Sequence, residues 1–356
     1  MQSSLTKEYR FKRLLLISMV IVLCICFLIS LSLGSMKIPT SDVFSILNPF
    51  SAQTSEVNFS LIIEKIRLPR ALLALLIGAC LASCGAITQG LFRNPLADPS
   101  LIGVSAGASI GATVIIVLGT QWLNLDNFQQ NGLGISMVSV GAFITALITV
   151  ILVYRLSSNS NGTSVATMLL AGIAITALAG GFTSLLEYFS NNNALRRISL
   201  WQMGGLDVAN YTHVILMSMT LIILYLFFRQ QSTALNALLL GESEARHLGI
   251  AVQKTKLKLV ILVAAGVGIS VSIAGGISFI GLIVPHIMRL IIGSDHRFLI
   301  PASFIAGALL LLIADTLART IISPAEIPVG IITALIGAPF FIYLLKNRHQ
   351  YGMQEA

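Results

Sequence analysis

Residues 235–250 read LNALLLGESEARHLGI, a polar island in a chain whose other long stretches prefer lipid to water. Leu235, Leu238 and Leu239 recur at i, i+3 and i+4, which gives a first short helix one apolar face. Gly241 interrupts that run. Residues 242–248 then supply another turn or two, with Glu242 and Arg246 four apart, and Gly249 stands where a left-handed C-terminal cap belongs. A bare connector between two spans needs only a few polar residues of any kind. This one keeps an apolar face and adds fixed charges. Two readings fit: a docking surface, or an amphipathic segment resting on lipid headgroups.

The surroundings of that island decide the class. The chain has 356 residues, of which 56% are hydrophobic and 10% charged, and a mean hydropathy of +0.89. Soluble domains carry roughly 25% charged residues, so this is an integral membrane protein. The net charge of +8 comes without a basic cluster interleaved with aromatics, so nucleic acid is not expected as a partner. Cys24, Cys26, Cys80 and Cys84 all lie in apolar runs and read as small packing residues. His213, His247, His286, His296 and His349 show no metal-binding spacing, and no metal site is expected.

Ten apolar segments follow one another at 14–33, 68–91, 101–120, 135–154, 165–186, 211–228, 257–274, 277–292, 300–317 and 327–345. The first is long enough for ~30 Å of hydrocarbon and is read as a retained helix rather than a signal peptide. Continuous apolar runs exclude a β-barrel, so the spans are helices. The expectation is an all-α integral membrane protein of about ten transmembrane helices, one domain over residues 1–356, in a lipid bilayer.

Charge sets the orientation. An N-in, C-in arrangement places Lys7, Arg10, Lys12, Arg13, Arg93, Arg155, Arg229, Arg246, Lys254, Lys256, Lys258, Arg289, Arg297, Lys346 and Arg348 inside, 15 of the 22 basic residues. Lys37, Lys65, Arg67, Arg70, Arg196, Arg197 and Arg319 remain outside. Residues 235–250 therefore face the cytoplasm.

Gly103, Gly107 and Gly111, then Gly172, Gly180 and Gly181, then Gly266 and Gly268 read as close helix packing. Gly275–Gly276 separates two short spans, and Pro285 with His286 is expected to interrupt the second. Such breaks are tolerated where they pack inside protein or line a cavity. In LFRNPLADPSLIG, residues 91–103, Asn94-Pro95 and Asp98-Pro99 make a rigid corner from which Ser100 can start the next helix. Gly90–Pro95 and Gly281–Pro285 occupy similar places in the two halves; no longer repeat is evident.

Several motifs in fixed order carry a resemblance: RLPR at 67–70, GLFRNPLADPSLIGVSAG at 90–107, LLLGESEARHLGI at 238–250, GGISFIGLIVPHIMRL at 275–290, SDHR at 294–297 and EIPVGIITALIGAPFFIYLL at 326–345. From about residue 60 onward the chain resembles the FecCD-type permeases, membrane subunits of bacterial ABC importers for ferric siderophores, haem and cobalamin. The resemblance implies a cobalamin-importer-like (type II) permease fold in the bacterial inner membrane. It further implies a homodimer with the pathway on its two-fold axis, two cytoplasmic ABC ATPase subunits and a periplasmic substrate-binding protein.

Position by position, the resemblance assigns ATPase coupling to Gly241, Glu242, Ala245, Arg246, Leu248 and Gly249, which favours the docking reading of 235–250. The chain has no GxxxxGK[ST] phosphate loop, so it is expected to be a transport subunit and not an enzyme. Arg67, Arg70 and Arg319 match arginines that pair with glutamates of the binding protein. Bidentate pairing of that kind would orient and steer a docking partner, whereas lone arginines at helix ends commonly snorkel to headgroups. Arg196 and Arg197, in LRRISLWQMGGL, would stand at the pathway mouth to guide an anionic substrate, or else make a salt bridge to Glu187 or Asp207. Met203, His286 and His296 are not expected to bind iron, because a strong axial ligand would trap the cargo.

The resulting expectation is a permease without a resident cofactor that passes haem, with a ferric siderophore next and cobalamin third. An ion-coupled secondary transporter would need ionisable groups inside its spans, and the span interiors offer little beyond Asp315, near the end of its helix. A membrane enzyme would need a catalytic cluster, and none is evident.

Overall fold

The computed structural model describes residues 2–34, 36–47, 57–121, 135–159 and 162–346. Arg348 and His349 lie outside the described residues. The described residues are almost entirely helical. The chain runs α1 (Gln2–Ser32), α2 (Thr40–Leu47), α3 (Val57–Ile62), α4 (Leu68–Phe92), α5 (Val104–Gln121) and α6 (Met137–Ser157). A two-stranded hairpin follows, β1 (Ser158–Asn159) and β2 (Gly162–Thr163), with Ser158 opposite Thr163. Then come α7 (Val165–Tyr188), α8 (Asn192–Met203), α9 (Tyr211–Gln230), α10 (Ser232–Leu239) and α11 (Glu242–His247). The last four are α12 (Val252–Ala274), α13 (Ile280–Ile292), α14 (His296–Thr320) and α15 (Val329–Lys346).

Each of the ten apolar segments falls on a helix. Among the described residues seven helices are long and apolar enough to cross a membrane, and three shorter apolar ones cover Val104–Gly119, Ile280–Ile292 and Val329–Leu344. The second span is longer than its apolar run, because α3 and a π-helical turn, Ile63–Arg67, lead into α4 without a break.

At the centre stands α4, buried almost end to end between α9, α12, α13 and α14. Its glycines set the spacing. A methyl at Gly78 would stand 2.2 Å from the Gly307 carbonyl oxygen of α14, so the two backbones touch. Cys80 and Cys84 are free thiols packed against Gly266 of α12.

Two expectations change in detail. Pro285 does not interrupt its helix: α13 continues from Ile280 to Ile292. A proline removes the donor to the carbonyl four residues back, here that of Gly281. That carbonyl is instead covered by Gly85 of α4, where a methyl would come within 1.8 Å of it. The real break precedes α13, where Gly275 and Phe279 both take φ +68°. Likewise Ser100 does not open α5. Asp98 caps a single tight turn, Pro99–Ile102, by accepting from Ser100 N at 2.8 Å, and Gly103 at φ +83° separates that turn from Val104. Burial of the Asp98 carboxyl, countered in part by Ser100, raises its pKa above the ordinary value.

Candidate functional site

Residues 235–250 fold into two short helices, α10 and α11, joined at Gly241 with φ +119° and closed at Gly249 with φ +82°. Only glycine takes these backbone angles without strain. Leu235 and Leu238 are buried in α10 and Ala245 in α11, so the apolar face points into the protein. Leu240 and Leu248 are 68% and 63% exposed.

Both halves are tied to long helices. Asn236 of α10 donates to Asp295 Oδ1 at 2.7 Å, and its own Oδ1 accepts from the His296 backbone N–H at 2.9 Å. Asp295 also caps α14 by accepting from Arg297 N. Partial burial pushes its pKa upward, yet hydrogen bonds from Arg297 and Asn236 hold it down at about 2. In α11, Glu242 pairs with Lys256 of α12 at 2.5 Å, much closer than Arg246 at 3.8 Å. Of the six residues assigned to coupling, Gly241 and Gly249 shape the turns, and Ala245 and Glu242 hold α11 to the body. Arg246 and Leu248 face outward.

Arg67, Arg70 and Arg319 do come together at the other end of the molecule, but turned inward, at 5%, 8% and 5% exposure. Arg67 donates to the carbonyls of Leu31 at 2.7 Å and Ser32 at 2.9 Å, and to that of Met36. Asp315, wholly buried, receives Arg70 Nε at 2.9 Å on one oxygen and Arg319 Nε at 3.0 Å on the other. The remaining reach of Arg70 goes to Glu326 at 2.7 Å. The three arginines expected to dock a partner are thus turned inward, and their guanidinium groups donate to carbonyls and carboxylates of the fold. Asp315, the one acidic residue noted within a span, is thereby a structural counter-ion.

Arg196 and Arg197 sit on exposed positions of α8, which is capped by Asn191 and buries Ala194 and Ile198 against Ile116 and Val117 of α5. Glu187 accepts from Gln202 of α8 at 3.0 Å. Below the C-terminal half of α8 lies a cavity of about 320 Å³ lined in part by Arg197, Trp201, Asp207, His213 and Ser272. Gly204 and Gly205 run beside the α12–α13 break: Gly205 N donates to Ala274 O at 2.9 Å. Met203 is exposed at the end of α8, whereas His286 and His296 are buried elsewhere, so the three do not converge. Among the described residues no group of three or more His, Cys, Asp or Glu side chains is arranged to hold a metal ion.

Sequence reading overlooked Asn236, Lys256 and Glu326. A signal for Lys256 was present in KTKLKL, residues 254–259: on a helix Lys254 and Lys258 share one face at i, i+4 and Lys256 stands alone on the opposite one. Nothing in the sequence links Glu326 to Arg70, which is 256 positions away.

Comparison with known proteins follows the same outline. The FecCD transport family matches residues 22–347. The hemin transport system permease protein of Yersinia pestis is 43% identical over 286 residues, covering 80% of this chain and 83% of that one. The vitamin B12 import system permease protein of Klebsiella pneumoniae is 40% identical over 355 residues, covering 99% and 100%. A cobalamin import permease of Halobacterium salinarum is 41% identical over 297 residues, covering 81% and 74%. Among solved structures, a metal-chelate type ABC transporter in an inward-facing conformation superposes with a TM-score of 0.78 at 31% identity, covering 94% of this chain and 99% of that one.

Proposed function

The chain belongs to the FecCD transport family, and from that premise we propose that it is the permease subunit of an ABC importer that carries haem across the bacterial inner membrane. It acts as a homodimer, takes its cargo from a periplasmic binding protein and is driven by two ATPase subunits. The observation that carries the reading is the form of α10–α11. A shaped segment is clamped to α12 and α14 on one side and presents Leu240, Arg246 and Leu248 on the other. A segment lying on headgroups would need no clamps to the body. A segment that transmits force needs both the clamps and a free contact face.

Haem is placed first because the hemin permease is the relative at 43% identity. Cobalamin follows, on the relative at 40% identity across 99% of the chain. Arg196 and Arg197 on the exposed side of α8 suit an anionic cargo such as the two propionates of haem. Arg67, Arg70 and Arg319 are assigned to holding the outer ends of α1, α4 and α14 in shape. The test is uptake into proteoliposomes containing this chain, its ATPase and its binding protein. ATP-dependent accumulation of haem, and not of cobalamin or a ferric siderophore, is the expected result. Accumulation of cobalamin alone would move the cargo and keep the machine.

A further inference from the structure

Lys256 is 3% exposed although it carries a formal charge and lies one turn inside α12. Burying an ammonium group is costly unless its partners are well placed, and an apolar side chain would fill the same space more cheaply. Its partners come from two different elements. One is Glu242 of α11 at 2.5 Å; the other is the carbonyl of Thr163 in β2 at 3.1 Å. The neighbouring Gln253 holds the same residue from its other side, accepting from Thr163 N at 3.1 Å.

Thr163 adjoins Ser164, and Ser164 is the N-cap of α7, accepting from Thr167 N at 3.3 Å. Ser164 N also donates to Ser157 O at 3.0 Å, which closes the hairpin onto α6. A displacement of α11 therefore has a continuous polar route to the first turn of α7: Glu242, Lys256, Thr163, Ser164. By contrast Arg246 offers no such route, since it pairs with Glu242 at 3.8 Å from a side chain that is 65% exposed, an arrangement worth little.

The receiving helix suits the role. Among the seven long spans of the described residues, only α1 is less buried than α7. Gly180 and Gly181 have open space where a side chain would stand. The C-terminal half of α7, around Gly180 and Gly181, is free of such contacts, while Gly172 seats the first half against the Pro99–Ile102 turn, where a methyl would stand 1.9 Å from the Leu101 carbonyl oxygen; a shift of α7 therefore pivots on that contact.

We propose that Lys256 is a positioning residue that transmits movement of the cytoplasmic segment α10–α11 to α7 through Thr163. This rests on the reading of that segment as the ATPase contact, and it names the route by which the contact reaches a span.

The experiment uses the complete transporter in proteoliposomes and reads cargo taken up per ATP hydrolysed. It is supported by the spin-label distance between α7 and α12 with and without a non-hydrolysable nucleotide. For Lys256→Met the ratio is expected to fall about fivefold or more with hydrolysis maintained, in the range of ordinary coupling energies. The nucleotide-dependent distance change should vanish with it. Lys256→Arg, which keeps charge and donors, should restore both. Gln253→Leu cuts the second bond to Thr163 without touching the Lys256–Glu242 pair, so it should lower the ratio too. Its combination with Lys256→Met should be no worse than Lys256→Met alone. An unchanged ratio and distance change in both single variants would overturn the proposal. So would a loss in Lys256→Met that Lys256→Arg fails to repair. If Lys256→Met does not assemble, Gln253→Leu alone decides. Absence of ATP-driven uptake in the unaltered transporter would instead count against the function proposed above.

Discussion

Asp315 is fully enclosed, and each of its oxygens holds a different arginine. Replacing one partner of a buried charge set leaves the others uncompensated, at a typical cost of about 3–5 kcal/mol. Asp315→Asn should therefore lower the thermal unfolding midpoint in detergent markedly. Glu326→Gln removes a carboxylate whose side chain is 42% exposed, and the same measurement should move by no more than about 1 kcal/mol. Equal losses would mean that Arg70 depends on both carboxylates alike. Asp295 makes a pH-dependent contribution of defined sign. Its pKa falls from 3.8 to about 2 on folding, so the stabilisation is present above about pH 4 and is lost as pH falls toward about 2. Melting curves of the protein and of Asp295→Asn should converge across that window and stay parallel above it. These residues also mark where the sequence runs out. It placed Arg67, Arg70 and Arg319 at one end of the protein but could not orient them. The carboxylate that turns Arg70 inward is 245 positions away, beyond any local pattern.

Elements were more legible than side chains, because hydropathy and the need to satisfy every backbone group in lipid leave helices as the only option for such runs. The pause at Gly275–Gly276 was also visible. What escaped was amphipathic or short: α2, α3 and α8 are helices whose mixed polarity resembles a loop in a membrane sequence. The reading of Pro285 failed for a definite reason. Whether a proline breaks a helix depends on what meets the carbonyl it leaves unpaired, and here that is Gly85 on a helix 200 positions earlier by residue number. A paired substitution tests this account. Gly85→Ala drives a methyl to 1.8 Å from the Gly281 carbonyl, backbone that cannot swing aside, so α4 and α13 must separate at a cost of about 1–3 kcal/mol. Gly181→Ala meets nothing within 4 Å and should leave unfolding unchanged. Should both melt alike, the glycines of α4 would not be setting helix spacing.

Across the whole molecule, α14 joins the two clusters. Its first residues hold α10 through Asn236, and its last turn holds α4 through Asp315 and Arg319. Together with the backbone contact between Gly78 and Gly307, this makes α4 and α14 a strut from one face to the other. The strut also separates two roles that the sequence grouped in one motif. Glu242 looks inward to Lys256, while Arg246 and Leu248 look out. Removing Glu242 should therefore harm the fold, and altering the outward pair should harm only association. Arg246→Glu with Leu248→Asp is expected to abolish co-purification of the partner ATPase while the unfolding midpoint of the membrane subunit stays within about 0.5 kcal/mol, as for surface changes generally. Glu242→Ala is expected to do the reverse in part. It strands the buried Lys256 ammonium, lowers the midpoint by a few kcal/mol, and reduces ATPase binding only as far as α11 loosens. If the outward double variant still binds the ATPase, the contact face is not on α11, and the clamps at Asn236 and Lys256 serve a segment that holds its place for another reason.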